Sequence, residues 1–189
     1  DAADESPVRV SGFHSFEELG GDVTAMYVDR NDGAWFAASE GRLSRAAAGE
    51  QTLHAVCESE APGIDFAADS AHVYCLMPGE VVRCGYDGSG TLRLPAGAAP
   101  LTAITADTVR QRVYAGSRAG ELFRVDAGRL ARLNPRGARP QRIRTLAADS
   151  RGIVWVTTPE TGITRYNPAS DDYKHFEQKP YTVSYYLDT

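Results

Sequence analysis

No apolar run in the chain approaches the eighteen or so residues of a membrane-spanning helix. No membrane contact is therefore expected of this segment. Basic charge is also short. Lys and Arg total 20 against 25 acidic residues, for a net charge of -5. That balance removes the electrostatic footprint of a nucleic-acid binder, although a local patch can still oppose the overall sign. Cysteine is scarce: Cys57, Cys75 and Cys84 are odd in number and include no CxxC, and His72 is the only histidine near them. This excludes a disulfide framework and a zinc signature. Cys75 and Cys84 flank Met77-Pro78-Gly79-Glu80. If that turn joins paired strands, the two thiols share a face one residue pair apart, a marginal geometry for a disulfide. Buried, reduced thiols are expected instead.

Catalytic signatures are missing as well. No serine sits in a nucleophile-elbow pattern, and Gly85-Tyr86-Asp87-Gly88-Ser89-Gly90 is followed by no Lys-Ser or Lys-Thr, so it is no phosphate loop. Long 3.6-residue periodicity is absent, since Ala46-Ala47-Ala48 is too short for a helix and runs into Gly49. The reading is of a non-enzyme without metal or cofactor. Composition nonetheless supports a packed core: 42% of the 189 residues are hydrophobic and 24% charged, normal for one soluble domain or part of a larger one.

A repeat is plainly present. Four segments align, each with a small apolar run ending in aspartate, a polar turn, a strand bearing one aromatic, and a glycine-led strand ending near arginine. The marker residues are Asp29, Asp69, Asp107 and Asp149, and a fifth run, Val183 to Asp188, starts another copy. The steps between markers are 40, 38, 42 and 39 residues. A period near forty built from short strands lies in the propeller range. The expected fold is all-β: about four four-stranded antiparallel β-propeller blades plus partial ones, as part of a larger propeller. The expected division is a flexible segment 1–7, a partial blade 8–19, blades at about 20–60, 61–97, 98–138 and 139–179, and the start of a further blade at 180–189. Open edges at such ends favour self-association.

The repeated residues have mechanical roles in this reading. Trp35, Tyr74, Tyr114 and Trp155 on the second strand are large enough to fill the wedge between blades. The marker carboxylates accept amide hydrogens of the following turn, where Gly33 and Gly152 adopt positive φ. Gly41, Gly79, Gly120 and Gly162 punctuate the next hairpins. The first strand is rich in Ala and Thr because inner strands crowd a propeller axis.

From Ile143 to Phe176 the chain reads Ile143-x-x-Leu146-x-x-Asp149-x-x-Gly152-x-Val154-Trp155-Val156-x-Thr158, then Gly162-Ile163-x-Arg165-Tyr166-Asn167, then Phe176. This pattern resembles the two-component regulator propeller repeat. The copy with Asp29, Gly33, Trp35 and Gly41 matches fairly well. The second and third copies lack the Trp and the full turn. The resemblance covers about residues 20–188. It implies the extracytoplasmic, periplasmic sensor region of bacterial hybrid two-component systems, built from seven-bladed propellers that in many cases detect carbohydrate fragments. The 189 residues carry no kinase, β-sandwich or membrane-helix pattern, so signalling enters only through the resemblance.

Several side-chain sets have chemistry to weigh. The marker aspartates fall one per blade around a ring, whereas calcium needs six to eight converging oxygens, so turn capping is expected of them. Arg45, Arg83, Arg124 and Arg165 on the third strand are expected to form salt bridges or stack between blades rather than build an anion ring. Three of the four histidines (His14, His54 and His175) recur on the outermost strand, pointing outward and apart. His72 lies on the second strand. Binding in propellers falls on the face where the connectors between blades meet the turns between second and third strands. Loops carry function more often than scaffold does. On that face Arg118, Arg139, Arg142 and Glu160 are the candidate ligand contacts. The expected function is a non-catalytic module that senses a small polar ligand or carbohydrate, or docks a protein partner. A protein-interaction scaffold stays open as the alternative, and a metal-dependent lactonase or lyase-type propeller ranks third. Most aromatics lie inside strands, which weighs against a sugar platform.

Overall fold

A computed structural model describes residues 21–50, 52–138, 141–159 and 162–176. The expected segments 1–7 and 8–19 and the strand beginning at Val183 lie outside the described residues. Sixteen strands and no helix occur among those described. They form four separate four-stranded antiparallel sheets, each made of consecutive strands. The first blade is β1 (Val23–Val28), β2 (Ala34–Ala38), β3 (Arg42–Ala46) and β4 (His54–Glu58). The second is β5 (Asp65–Ala68), β6 (His72–Met77), β7 (Glu80–Gly85) and β8 (Leu92–Pro95). The third is β9 (Leu101–Asp107), β10 (Arg112–Ser117), β11 (Leu122–Asp126) and β12 (Arg129–Leu133). The fourth is β13 (Thr145–Ala148), β14 (Val154–Thr158), β15 (Gly162–Asn167) and β16 (Asp172–Phe176). Two-residue side-chain alternation lets each sheet bury both faces, so the blades stack like layers.

Each interface joins one face of a blade to the opposite face of the next. Trp35, Ala37 and Leu43 of the first blade pack on Phe66, Val73, Cys75 and Val82 of the second. Tyr74, Leu76, Val81 and Leu94 continue the core against Leu101, Ile104, Val113 and Phe123. Tyr114 and Leu122 meet Ile143, Val154, Val156 and Tyr166. In the first three blades the repeated aromatic therefore fills the wedge toward the following blade. Trp35 keeps only 1% of its surface exposed. Burying such a ring contributes on the order of 2–3 kcal/mol.

The marker aspartate does more than cap a turn. Asp29 Oδ1 accepts the amides of Asn31 (2.8 Å) and Gly33 (3.1 Å), and its Oδ2 accepts Trp35 Nε1–H at 2.7 Å. Asp149 repeats this with Arg151, Ile153 and Trp155 Nε1–H at 3.2 Å. Asp69 holds the amides of Ala71 and His72 and takes the Tyr74 hydroxyl at 2.6 Å. The third blade departs: Asp107 pairs with Arg110 at 3.3 Å, and Arg110 reaches the Arg151 carbonyl of the next blade at 2.6 Å. In the first two blades the aspartate thus fixes the polar tip of a wedge aromatic whose ring is buried.

Two expectations are corrected here. In the first turn Asp32, not Gly33, takes the left-handed backbone, with φ 59°. Gly33 is needed for space instead, since a Cβ there would lie 2.7 Å from Asp29 Oδ2. Gly152 does take the positive φ, at 72°, as do the hairpin glycines Gly41, Gly120 and Gly162, at 84°, 85° and 88°. Among the described residues the arginines of the third strand make no ion pair to another blade. Arg45, Arg83, Arg124 and Arg165 stand directly across the sheet from Trp35, Tyr74, Tyr114 and Trp155 of their own blades. Arg45 lies over the Trp35 ring at 5.8 Å, and Arg124 pairs with Asp126 at 3.0 Å. Cross-strand neighbours are the nearest partners a sheet offers, and in the first blade that neighbour is the ring of Trp35.

The outer face of the fourth blade carries Trp155 and Phe176 with ring centroids 6.1 Å apart, and Ile163 and Phe176 remain 48% and 43% exposed. By register against the wedge aromatic, Ile163 occupies the position of Leu43, Val81 and Leu122, which the earlier blades bury against the blade that follows. Cys75 and Cys84 sit diagonally on β6 and β7 as free thiols.

Candidate functional site

The connectors between blades share one face with the turns between second and third strands. The first two connectors are short, spanning residues 59–64 and 96–100. The third runs from 134 to 144, about twice their length. A long loop in a compact fold calls for a reason, and this one is firmly held. Arg136 donates its amide to the Asp171 carbonyl at 2.9 Å and accepts the Tyr173 amide at 2.8 Å. His175 joins its Nε2 to the Gly137 carbonyl at 2.7 Å and its Nδ1 to Thr164 Oγ1 at 2.8 Å. A carbonyl only accepts, so Nε2 carries the hydrogen of the bond to Gly137.

The far end of this connector is clamped to the third blade. Ile143 donates its amide to the Ser117 carbonyl at 3.1 Å and accepts the Thr102 hydroxyl at 2.6 Å. Thr24 makes the same bond to the Gly63 carbonyl at 2.7 Å between the first two blades. A Cβ on Gly120 would lie 2.4 Å from the Gln141 nitrogen, and one on Gly116 would lie 2.5 Å from Ile143. Only glycine permits such approach. Ser117 Oγ accepts the amides of Ala119 (3.2 Å) and Glu121 (3.0 Å), which stiffens the turn bearing Arg118.

The consequence is local convergence of charge. Arg142 and Arg144 are exposed on either side of the buried Ile143, so alternation points both away from the core. The exposed Arg118 sits beside them through the Ser117–Ile143 bond. The Ser117–Ile143 bond thus makes the backbones of Arg118 and Arg142 neighbours, while Arg139 and Glu160 lie outside the described residues. Arg144 was missed because it reads as part of a strand beginning at Ile143. The available signal was its alternation with Ile143.

Two openings flank this face. One, of about 250 Å³, lies between the third and fourth blades and is lined by Gly120, Glu121, Arg132, Asn134, Ala138 and Tyr173. Glu121 and Arg132 pair there at 3.1 Å. Burial first, and then the Asp171 charge, raises the Tyr173 hydroxyl well above its ordinary pKa. The other, an open depression of about 540 Å³, is lined by Glu58, Ser59, Glu60, Glu80 and Arg93. There Arg93 bonds Glu80 and the Glu58 carbonyl, which closes the first connector onto the second blade.

The histidines are dispersed. His54 meets Glu50 at 3.2 Å, His72 meets Asp69 at 3.5 Å, and His175 serves the connector. No group of three or more His, Cys, Asp or Glu placed to hold a metal occurs among the described residues. His14 lies outside them.

Sheet order, stacking and the repeated wedge define this chain as β-propeller blades, and solved structures agree. It is similar to virginiamycin B lyase from Staphylococcus aureus, with TM-score 0.71 and 13% identity over 87% of this chain and 58% of that one. A streptogramin B lyase gives 0.70 and 10% identity over 85% and 56%. The computationally designed Ika4 protein gives 0.65 and 15% identity over 77% and 91%. The chain spans a little over half the length of the two lyases. At these identities the likeness concerns the fold. No protein-family model matches the chain, and no curated protein does.

Proposed function

We propose that this chain is a non-catalytic binding module that holds a ligand or partner on its connector face, in the manner of an extracytoplasmic sensor propeller. The observation that carries this reading is the clamped connector 134–144, whose bonds to both neighbouring blades fix Arg142 and Arg144 beside Arg118. Preorganised loops on a rigid scaffold reduce the ordering cost of binding. The sensor role and a location outside the cytoplasm follow from the resemblance of Ile143 to Phe176 to the two-component regulator repeat. Self-association through the exposed outer face of the fourth blade, Ile163 and Phe176, is a second contact we propose.

A thermal-shift screen of sugars, organic acids and phosphate esters tests the reading. Stabilisation by a ligand, lost on substitution within 117–120 or 134–144, is the expected result. Turnover of a streptogramin B would overturn it in favour of a lyase.

A further inference from the structure

Six of the arginines have a carboxylate beside them. Arg42, Arg93, Arg110, Arg124, Arg132 and Arg151 each make such an ion pair. Arg118, Arg142 and Arg144 are exposed and have no carboxylate within ion-pair reach among the described residues. They are also the three that the backbone gathers at one junction. Like charges held together repel, and nothing in the packing requires them: Ile143 fills the core between two of them, and Ser117 anchors the turn that carries the third. The cluster stands out further on a chain whose net charge is -5. A local positive field on an acidic protein attracts a small anion without making the whole surface sticky to polyanions.

We propose that Arg118, Arg142 and Arg144 form a binding site for a small ligand bearing an oxyanion, either a carboxylate or a phosphate. The proposal rests on the connector face being the binding surface and names the chemistry that surface takes. A guanidinium presents a planar fork of donors that matches two oxygens of either group at once, and Arg is the residue suited to this bidentate grip. Arg142 and Arg144 project from one extended segment on either side of Ile143. Arg118 approaches from the adjoining turn. A ligand oxyanion between them receives donors from two elements of two different blades. The neighbouring 250 Å³ opening, with Tyr173, Asn134 and the Glu121–Arg132 pair, offers room for the uncharged remainder of the ligand.

Calorimetric titration of the protein at low ionic strength tests this, with inorganic phosphate and succinate as separate probes. Saturable binding of at least one is expected, weakened tenfold or more in Arg118→Gln and in Arg144→Gln. Phosphate alone binding points to a phosphate-bearing ligand, and succinate alone to a carboxylate. Arg129→Gln, an exposed arginine at the start of β12 outside the cluster, leaves affinity unchanged. The substituted side chains are exposed, so melting temperatures without ligand should stay level. The inference is overturned if neither probe saturates, or if Arg129→Gln weakens binding as much as the cluster variants do. Should a neutral ligand still stabilise the protein through the connector face while both anions fail, the oxyanion site falls and the binding reading stands. If no ligand of either kind acts there, both fall.

Discussion

Removing the Asp29 carboxylate should be among the most damaging single changes to this protein. Asp29 is 3% exposed and accepts three hydrogen bonds, from the amides of Asn31 and Gly33 and from Trp35 Nε1–H. In Asp29→Ala the Gly33 amide and the indole N–H are left buried without an acceptor. Hydrogen bonds to a charged group contribute about 1.5–3 kcal/mol each, and their loss is less than additive in a shared site. The expected destabilisation is about 3–5 kcal/mol, or a fall in melting temperature of about 8–15 °C for a domain this size. Trp35→Phe keeps most of the wedge but loses the indole bond, at about 2 kcal/mol. Because both variants break the same bond, the double variant should fall short of the sum by about 1–2 kcal/mol. Urea unfolding followed by circular dichroism measures all three. A loss below about 1 kcal/mol in Asp29→Ala, or strict additivity with Trp35→Phe, would refute the clamp.

Other expectations follow the same physics. Gly41 has φ 84°, and its Cβ would lie 2.0 Å from the Ser59 carbonyl oxygen, so Gly41→Ala should cost at least about 2 kcal/mol. Gly90, at φ 62° with open space around it, should lose about 1 kcal/mol on the same change, and equal losses in urea would contradict the steric argument. Desolvation opposes ionisation of Asp149, but the bonds from the Ile153 amide, Arg151 and Trp155 outweigh it and hold its pKa at about 2. Its folded pKa lies below the unfolded value near 4. The stability it supplies is therefore present above that value and lost as pH falls toward 2. Asp149→Asn should flatten urea midpoints between pH 4 and 2, and an unchanged acid slope would count against the assignment. Burial raises the Cys75 thiol and lifts Cys84 to about 11, so at pH 8 a thiol reagent should label the half-buried Cys57 first and the other two only on unfolding.

Much of the architecture was legible because the repeat writes the same mechanical parts four times. Marker aspartates, wedge aromatics and hairpin glycines recur at steady spacing, and the sheets follow them. Strand ends were less visible. β13 begins at Thr145 because Ile143 is spent on the clamp to the third blade. The opposition of aromatic and arginine was present as steps of ten, nine, ten and ten residues from Trp35, Tyr74, Tyr114 and Trp155. It takes the register of the hairpin to turn those steps into a contact. The aspartate-to-indole bond spans six residues across a turn, a distance that no periodicity encodes. At the candidate site, Arg118 and Arg142 stood out as loop charges. Their convergence depends on bonds between residues such as Ser117 and Ile143, which are far apart in sequence.

The central claim is that the connector face binds. Hydrogen–deuterium exchange with a ligand identified by thermal shift tests it most directly. Protection concentrated in residues 117–120 and 134–144 is the predicted result. Protection confined to the turns after Asp29, Asp69, Asp107 and Asp149, on the opposite ends of the strands, would contradict it.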